Sequence, residues 1–229
     1  MKNLKKIYMK KTAFTLIELI LVIVVLGILA ALAIPRYDRD LRQEAVDNIL
    51  SALRYTKHMA LTDNVANPRD NKWQRAFWRF GIEKCSDNGI FYYISSDKDY
   101  EGDIDSTEII NDPANGKKMM GDNNADCETQ VNNNASPNIF LTKKYGIKDG
   151  DISFTNCGNG SGSYLGFDYF GRPHRGYAGN SGSTYPDYAS ILHTDCNITI
   201  NFSNSGLDPI SIIVESGTGH AYIDGQPNS

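Results

Sequence analysis

Apolar residues form one continuous stretch near the start of the chain. Between Phe14 and Ile34 the only charged residue is Glu18. An α-helix rises 1.5 Å per residue, so a helix over this stretch would be about 30 Å long, which is enough to cross the core of a bilayer. The pattern therefore predicts a transmembrane helix over residues 14–35.

The spacing of apolar residues changes after Arg36. They now recur at intervals of three and four, which places them on one face of a helix. We therefore expect the helix to continue, so that the whole N-terminal helix spans residues 14–62. The many alanines on this face suit a helix that lies against a sheet. The face consists of Leu41, Ala45, Ile49, Ala52, Leu53, Thr56 and Ala60.

Beyond Asn71 the chain has short runs of aromatic and β-branched residues, separated by Gly, Asn, Asp and Ser. Such runs predict β-strands with turns between them. The segment 115–138 is rich in Asn and poor in apolar residues, which predicts a long surface loop. The strand candidates are 76–82, 90–94, 152–154, 164–170, 198–202, 210–214 and 221–223.

A basic leader precedes the apolar stretch. Its five lysines keep this end on the cytoplasmic side of a membrane, so the chain after Arg36 is expected to be exported. No small-residue cleavage pattern follows the apolar stretch, although a secretory signal would carry one there. Thr12 and Ala13 stand before it instead, so any cut leaves the helix on the product.

The leader and the sequence Phe14-Thr-Leu-Ile-Glu18 resemble the type III signal of type IV pilins and type II secretion pseudopilins. The resemblance implies that a prepilin peptidase cuts between Ala13 and Phe14 and that Phe14 is then N-methylated. Residues 1–13 would be the leader peptide. The family usually has Gly before the cut, and Ala13 departs from that pattern.

Glu18 is a carboxylate within an apolar helix, which is costly and is usually explained by a partner. Cutting after Ala13 creates such a partner, the α-amine of Phe14. The resemblance implies that Glu18 of one subunit meets this amine on its neighbour during filament assembly. The alternative is that Glu18 lies near the helix end and reaches the membrane interface without a specific partner.

The part of the chain that is expected to be exported carries an excess of acidic residues. The chain has 23 basic and 27 acidic residues, and five of the basic ones lie in the leader. Removing the leader leaves 18 basic residues against 27 acidic ones, a net charge of −9. This excess disfavours binding to DNA or to anionic lipid headgroups.

All four cysteines fall in the exported part, where an oxidising compartment favours disulfides over free thiols. Four cysteines allow three pairings, and the sequence does not choose among them. We predict one of these pairings, in which Cys85 is bonded to Cys127 and Cys157 to Cys196.

A short acidic segment resembles the twelve-residue calcium loop of EF-hands. Asp97, Asp99, Asp105 and Glu108 occupy loop positions one, three, nine and twelve, and Gly102 occupies the position of the sharp turn. Alternating carboxylates can supply the hard oxygen ligands that calcium requires, so Ca²⁺ is an expected cofactor. The alternative is a solvated acidic hairpin loop. The six expected ligands are Asp97, Asp99, Glu101, Asp103, Asp105 and Glu108.

Short patterns in the rest of the chain resemble the GspH/FimT-type minor pilins and pseudopilins. They are the alanine-rich helix end at 52–64, the apolar strand and acidic loop at 91–108, the segment 165–173 around Gly171-Arg172, and the run 210–217. The resemblance implies an α+β fold, in which the long N-terminal helix packs on a sandwich-like antiparallel β domain over 63–229.

The same resemblance implies a structural subunit of a type II secretion pseudopilus or a type IV pilus. Its expected partners are prepilin peptidase, other pilins or pseudopilins, and the inner-membrane assembly platform. It would cross the inner membrane once, with a periplasmic C-terminal domain. The alternative is a DNA-binding minor pilin, for which Arg172, His174 and Arg175 form the one small basic cluster.

Catalytic motifs are not found in the sequence. The four histidines are scattered, and neither a Gly-x-Ser-x-Gly nor a His-Glu-x-x-His pattern occurs. The glycines at 158–162 lack the strand, helix and Lys of a phosphate-binding loop. We therefore expect a protein that is not an enzyme.

Overall fold

This computed structural model describes residues 15–67, 69–127, 129, 134–157, 164–177, 188–202 and 207–226, with the backbone alone for 30–40. By its internal contacts the chain divides into two units, residues 1–40 and 41–229. Each unit is described by itself below.

Helix α1 spans Leu16–Thr62, close to the predicted 14–62. In the first unit its apolar side chains from Leu16 to Leu29 are exposed. Among the residues that the structure describes, none of the helices combines the length and the apolar content needed to cross a membrane.

In the second unit, α1 buries the face that the spacing predicted. Ala45, Ile49, Leu53 and Ala60 are all nearly inaccessible to solvent. Arg54 also connects the helix to β8 (Ala221–Ile223) of the second sheet. Its guanidinium donates two hydrogen bonds to the carbonyl of Ala221, at 3.1 and 2.7 Å.

Eight strands and a second, short helix follow α1 in the described residues. All seven predicted strand regions are confirmed, 221–223 with the same ends and the other six with one or both ends shifted, whereas β5 and helix α2 (Leu141–Tyr145) were not predicted. The strands are β1 Trp78–Lys84, β2 Ile90–Ser95, β3 Ile152–Thr155, β4 Tyr164–Phe167, β5 Pro173–His174, β6 Cys196–Phe202, β7 Leu207–Val214 and β8 Ala221–Ile223.

The strands form two four-stranded sheets. The first has the order β2-β1-β4-β5 and the second has the order β3-β6-β7-β8. Every neighbouring pair is antiparallel. Strand β6 shows the period of two, because Cys196, Ile198 and Ile200 are buried while the residues between them are only half-buried.

One hydrophobic cluster joins the helix to both sheets. It contains Ile49 and Leu53 from α1, Leu165 from the first sheet, and Ile198 and Ile212 from the second. A long N-terminal helix on antiparallel sheets is the α+β fold expected from the sequence.

The segment 115–138 is largely exposed or half-buried in its described part, as the prediction of a long surface loop requires, but it is anchored to the domain at a few points. In its described part Met119, Cys127 and Ser136 are buried. The buried carboxylate of Asp112 accepts hydrogen bonds from the side chains of Asn115, Ser136 and Asn138. These hydrogen bonds anchor the loop at Asn115, Ser136 and Asn138, while Asn123, Asn124 and Asn134 are exposed.

Two disulfides connect distant parts of the second unit. Cys85 follows β1 and pairs with Cys127 in the Asn-rich segment, and Cys157 pairs with Cys196 at the start of β6. These are the pairs named above. With sequence separations of 42 and 39, each bond stabilises the fold by about 4 kcal/mol in the chain-entropy model.

Truncating the buried face of α1 is expected to destabilise the second unit. Ile49→Ala removes apolar atoms from a fully buried site and leaves a cavity, so the free energy of unfolding should fall by about 2–5 kcal/mol. Denaturant unfolding of the full chain, followed by near-UV circular dichroism, measures the loss. The exposed Ser51, two residues along the same helix, gives the control Ser51→Ala, for which a change above about 0.5 kcal/mol would contradict this account.

Candidate functional sites

The N-terminal site begins with the cap of helix α1. Thr15 is the N-cap residue, and its hydroxyl accepts a hydrogen bond from the backbone N–H of Glu18 at 3.3 Å. In return, Oε2 of Glu18 accepts from the backbone N–H and the hydroxyl of Thr15, both at 2.9 Å. This reciprocal pair is a capping box, which satisfies N–H groups that the first helical turn leaves without partners.

The cap gives Glu18 a local role that the sequence analysis did not consider. Its carboxylate is exposed and lies in the first turn of the helix. The two processing residues, Ala13 and Phe14, lie outside the described residues. The structure thus places Glu18 three residues from the helix cap and leaves the cut itself as a prediction.

The acidic loop lies between two paired segments of the chain. Strand β2 ends at Ser95, which forms an isolated bridge with Ile109, so residues 96–108 close a hairpin. A strand therefore enters the loop where an EF-hand would have a helix. Within the loop, one carboxylate oxygen from each of Asp97, Asp99 and Glu108 lies within 4.8 Å of the other two.

Backbone N–H groups hold much of this acidic cluster. Glu108 accepts hydrogen bonds from the backbone N–H groups of Lys98 and Asp105. Oδ2 of Asp97 accepts from the N–H of Gly102 at 3.0 Å, while its Oδ1 is buried without a hydrogen-bond partner. Burial raises the pKa of Asp97; the Arg79 guanidinium opposes this shift and Glu108 adds to it.

The other three predicted ligands do not join the cluster. Asp105 accepts hydrogen bonds from the backbone and the hydroxyl of Thr107, both at 2.6 Å. Glu101 and Asp103 are exposed. The structure therefore brings together three of the six carboxylates that the loop pattern suggested.

A buried polar network connects β4, β5 and the turn at Tyr188–Ser190. Nε2 of His174 lies 3.1 Å from Oδ2 of Asp168, and Nδ1 of His174 lies 2.8 Å from the hydroxyl of Ser190. Arg172 also contacts the Asp168 carboxylate, with its Nη2 at 2.7 Å. Sequence patterns did not indicate this network, because its members follow no spacing motif and Ser190 lies 16 residues along the chain from His174.

Ser, His and Asp are the residue types of a hydrolase triad, but here they form a buried network that stabilises the structure. The three residues are at most 8 % exposed. The described cavity beside His174 and Asp168 holds only about 20 Å³. Arg172 already neutralises much of the Asp168 charge that a triad would use to stabilise a protonated histidine.

The network also sets the protonation of Asp168. Burial by itself would raise the pKa of this carboxyl, but hydrogen bonds from His174 and Arg172 outweigh burial and lower the pKa below its ordinary value of 3.8. The carboxylate is therefore held ionised inside the domain.

The basic cluster considered for DNA binding is engaged within the domain. Arg172 pairs with Asp168, His174 is buried, and the guanidinium of Arg175 lies over the ring of Phe154 at 5.2 Å. These contacts give the cluster a structural role within the domain.

Comparison with known proteins identifies the N-terminal segment. Residues 8–34 match the family described as the prokaryotic N-terminal methylation motif. This motif is typical of type IV pilin-like proteins, which prepilin peptidase processes and which assemble with other pilins. No curated protein and no solved structure matches the chain.

Removing the Asp168 charge is expected to destabilise the domain at neutral pH. Asp168→Asn weakens charge-assisted hydrogen bonds to His174 and Arg172, which should cost about 1–3 kcal/mol at pH 7. Because the pKa is lowered by folding, this contribution is present above pH 3.8 and is lost as the pH falls through the folded-state pKa. Unfolding free energies at pH 7 and pH 3 measure the difference between variant and wild type.

The difference in unfolding free energy between wild type and Asp168→Asn should therefore be smaller at pH 3 than at pH 7. Asp224→Asn, at an exposed position, is the control and should change stability little at either pH. A gap for Asp168→Asn that stays constant from pH 7 to pH 3 would contradict the assigned role of the ionised carboxylate.

Proposed function

We propose that this chain is a minor pseudopilin or pilin, a structural subunit of a type II secretion pseudopilus or a type IV pilus. Prepilin peptidase cuts it between Ala13 and Phe14 and methylates Phe14. The N-terminal helix then carries the subunit into the filament. The protein has no catalytic role in this proposal.

The methylation motif at residues 8–34 is the observation that carries the proposal. It covers the predicted cut, Glu18 and the whole apolar stretch from Phe14 to Ile34. The fold supports it, because one helix runs from Leu16 to Thr62 and its second part is built into the core of the β domain. Such a helix links the processed N-terminus to the globular part through continuous secondary structure.

The proposed location follows from the same segment. The helix over 14–35 anchors the chain in the inner membrane before assembly, and residues 63–229 face the periplasm. Two disulfides in this part are typical of proteins from an oxidising compartment. The inner-membrane assembly platform and neighbouring pilins are the partners in this scheme.

Glu18 has two tasks in the proposal. In the uncut chain it completes the cap of α1 with Thr15. After the cut, the α-amine of Phe14 on a neighbouring subunit offers a cationic partner for the same carboxylate. Helices in lipid gain little from apolar contacts with each other, so such a pair contributes register and selectivity.

Processing is tested by expressing the full chain with a prepilin peptidase. The mature protein should lack its first 13 residues and begin with a methylated Phe14, as measured by intact-mass and N-terminal peptide mass spectrometry. Ala13→Gly should be cut faster, because Gly is the usual residue at this place. Ala13→Leu should be cut poorly.

A cut after Ala33, or no peptidase-dependent cut at all, would contradict this processing. Expression without the peptidase is the control and should leave the full mass.

The role of Glu18 is tested with variants that separate its negative charge from its contribution to the helix cap. Glu18→Gln keeps a side chain that can complete the capping box but removes the charge, whereas Glu18→Val removes both. If charge pairing drives assembly, both variants should be cleaved and membrane-associated yet fail to enter the filament. Crosslinking to neighbouring pilins in isolated filaments measures incorporation.

Thr15→Ala is the matched control, since it weakens the cap and leaves the Glu18 charge in place. It should be incorporated. If Glu18→Gln entered the filament while Glu18→Val and Thr15→Ala did not, the cap and not the charge pair would explain Glu18.

A further inference from the structure

We propose that the hairpin loop of residues 96–108 binds one calcium ion through the carboxylates of Asp97, Asp99 and Glu108. This inference does not depend on the filament role proposed above. It rests on two separate observations, the closeness of three acidic side chains and a buried carboxylate oxygen that lacks a partner.

The three carboxylates form a compact set of hard oxygen ligands. One oxygen of each lies within 4.8 Å of the other two. Like charges at this separation repel one another, and the repulsion is stronger where the side chains are buried, as Asp97 and Glu108 are. A cation bound between them converts this repulsion into attraction.

The second observation concerns Asp97, whose side chain is completely buried. Its Oδ2 accepts a hydrogen bond from the N–H of Gly102, but its Oδ1 has no hydrogen-bond partner. Buried polar atoms are nearly always satisfied, because an unmade interaction costs the full desolvation of the group. A metal ion held between the three carboxylates would satisfy this oxygen.

Three cationic side chains lie near the loop, and none of them donates a hydrogen bond to Oδ1 of Asp97. Nη2 of Arg79 approaches Asp97 from the side of Oδ2, at 3.9 Å, and makes no hydrogen bond there. Arg75 donates to the backbone carbonyl of Tyr100. Lys98 pairs with Asp63 at 3.0 Å. These three contacts leave Oδ1 of Asp97 without a protein partner.

The donor set favours calcium over other common ions. The cluster consists of carboxylates, whereas zinc prefers sites with His or Cys ligands. Calcium accepts irregular geometry and six to eight oxygens, so backbone carbonyls and water can complete its shell. Magnesium requires a tighter octahedron, which three side chains from one loop provide less readily. Asp97, Asp99 and Glu108 also occupy positions one, three and twelve of the calcium-loop pattern.

Binding would act on the domain beside the end of α1. Lys98, within the loop, pairs with Asp63, which directly follows α1 and also accepts a hydrogen bond from the indole of Trp78. Ordering the loop by calcium would therefore strengthen its attachment to the helix end and to β1.

The test uses the full chain in mild detergent, with its disulfides intact and divalent ions removed by chelation. Calorimetric titration with calcium chloride should show one site per chain, with a dissociation constant of about 10⁻⁴–10⁻³ M, the range of isolated extracellular sites. The melting temperature should rise in millimolar calcium and rise less in millimolar magnesium.

Two single-charge variants in the same loop separate a specific site from diffuse attraction. Asp99→Asn removes an exposed ligand of the cluster and should weaken calcium binding about tenfold or more, because affinity follows the charge of the ligands. Asp103→Asn removes an equal charge at an exposed position outside the cluster and should change the affinity about twofold at most.

Glu108→Gln provides a second cluster variant, and its circular dichroism spectrum without calcium checks that the domain still folds. Absence of calcium binding to the wild type would overturn the proposal. Equal weakening by Asp99→Asn and Asp103→Asn would also overturn it, since calcium would then respond to the acidic surface as a whole.

Discussion

Burial of one face of α1 is the interaction on which the second unit depends. Ile49 and Leu53 are inaccessible to solvent and belong to the same cluster as Leu165 of the first sheet and Ile198 of the second. A four-stranded sheet with one apolar face has to cover that face, and here a single helix contributes to the cover of both sheets. The short side chains of Ala45, Ala52 and Ala60 allow this close packing.

Buried aspartates organise the loops around that core. Asp112 collects donors from the Asn-rich segment, and Asp168 collects donors from His174 and Arg172. Both carboxylates thereby order chain that has little apolar content of its own. Asp97 occupies a comparable place in the acidic loop but keeps one oxygen without a partner, and this difference is the physical reason for assigning a cation to that loop.

The two ends of α1 perform different tasks. At its start, Thr15 and Glu18 close a capping box, and in the proposed filament role the same carboxylate would pair with an incoming amine. In the second unit, the same helix has an apolar face committed to the core. The proposed filament role would use both properties, an N-terminus that pairs with other subunits and a domain that folds around its own helix.

The sequence by itself determined the features that depend on local order. The period of the apolar positions predicted the long helix and seven strands, and residues 8–34 carry the methylation motif in one continuous segment. Only the tertiary structure decided the strand order of the two sheets and the two-residue strand β5, which is too short to leave a pattern of its own. It also decided that Asp168, His174 and Ser190 meet, that the segment 115–138 is held by Asp112, and that three of six loop carboxylates converge. The strand order and the contacts of Ser190 and Asp112 join residues that are distant along the chain, and the convergence within residues 97–108 depends on how the hairpin closes. The spacing of side chains within one segment carries no information about either.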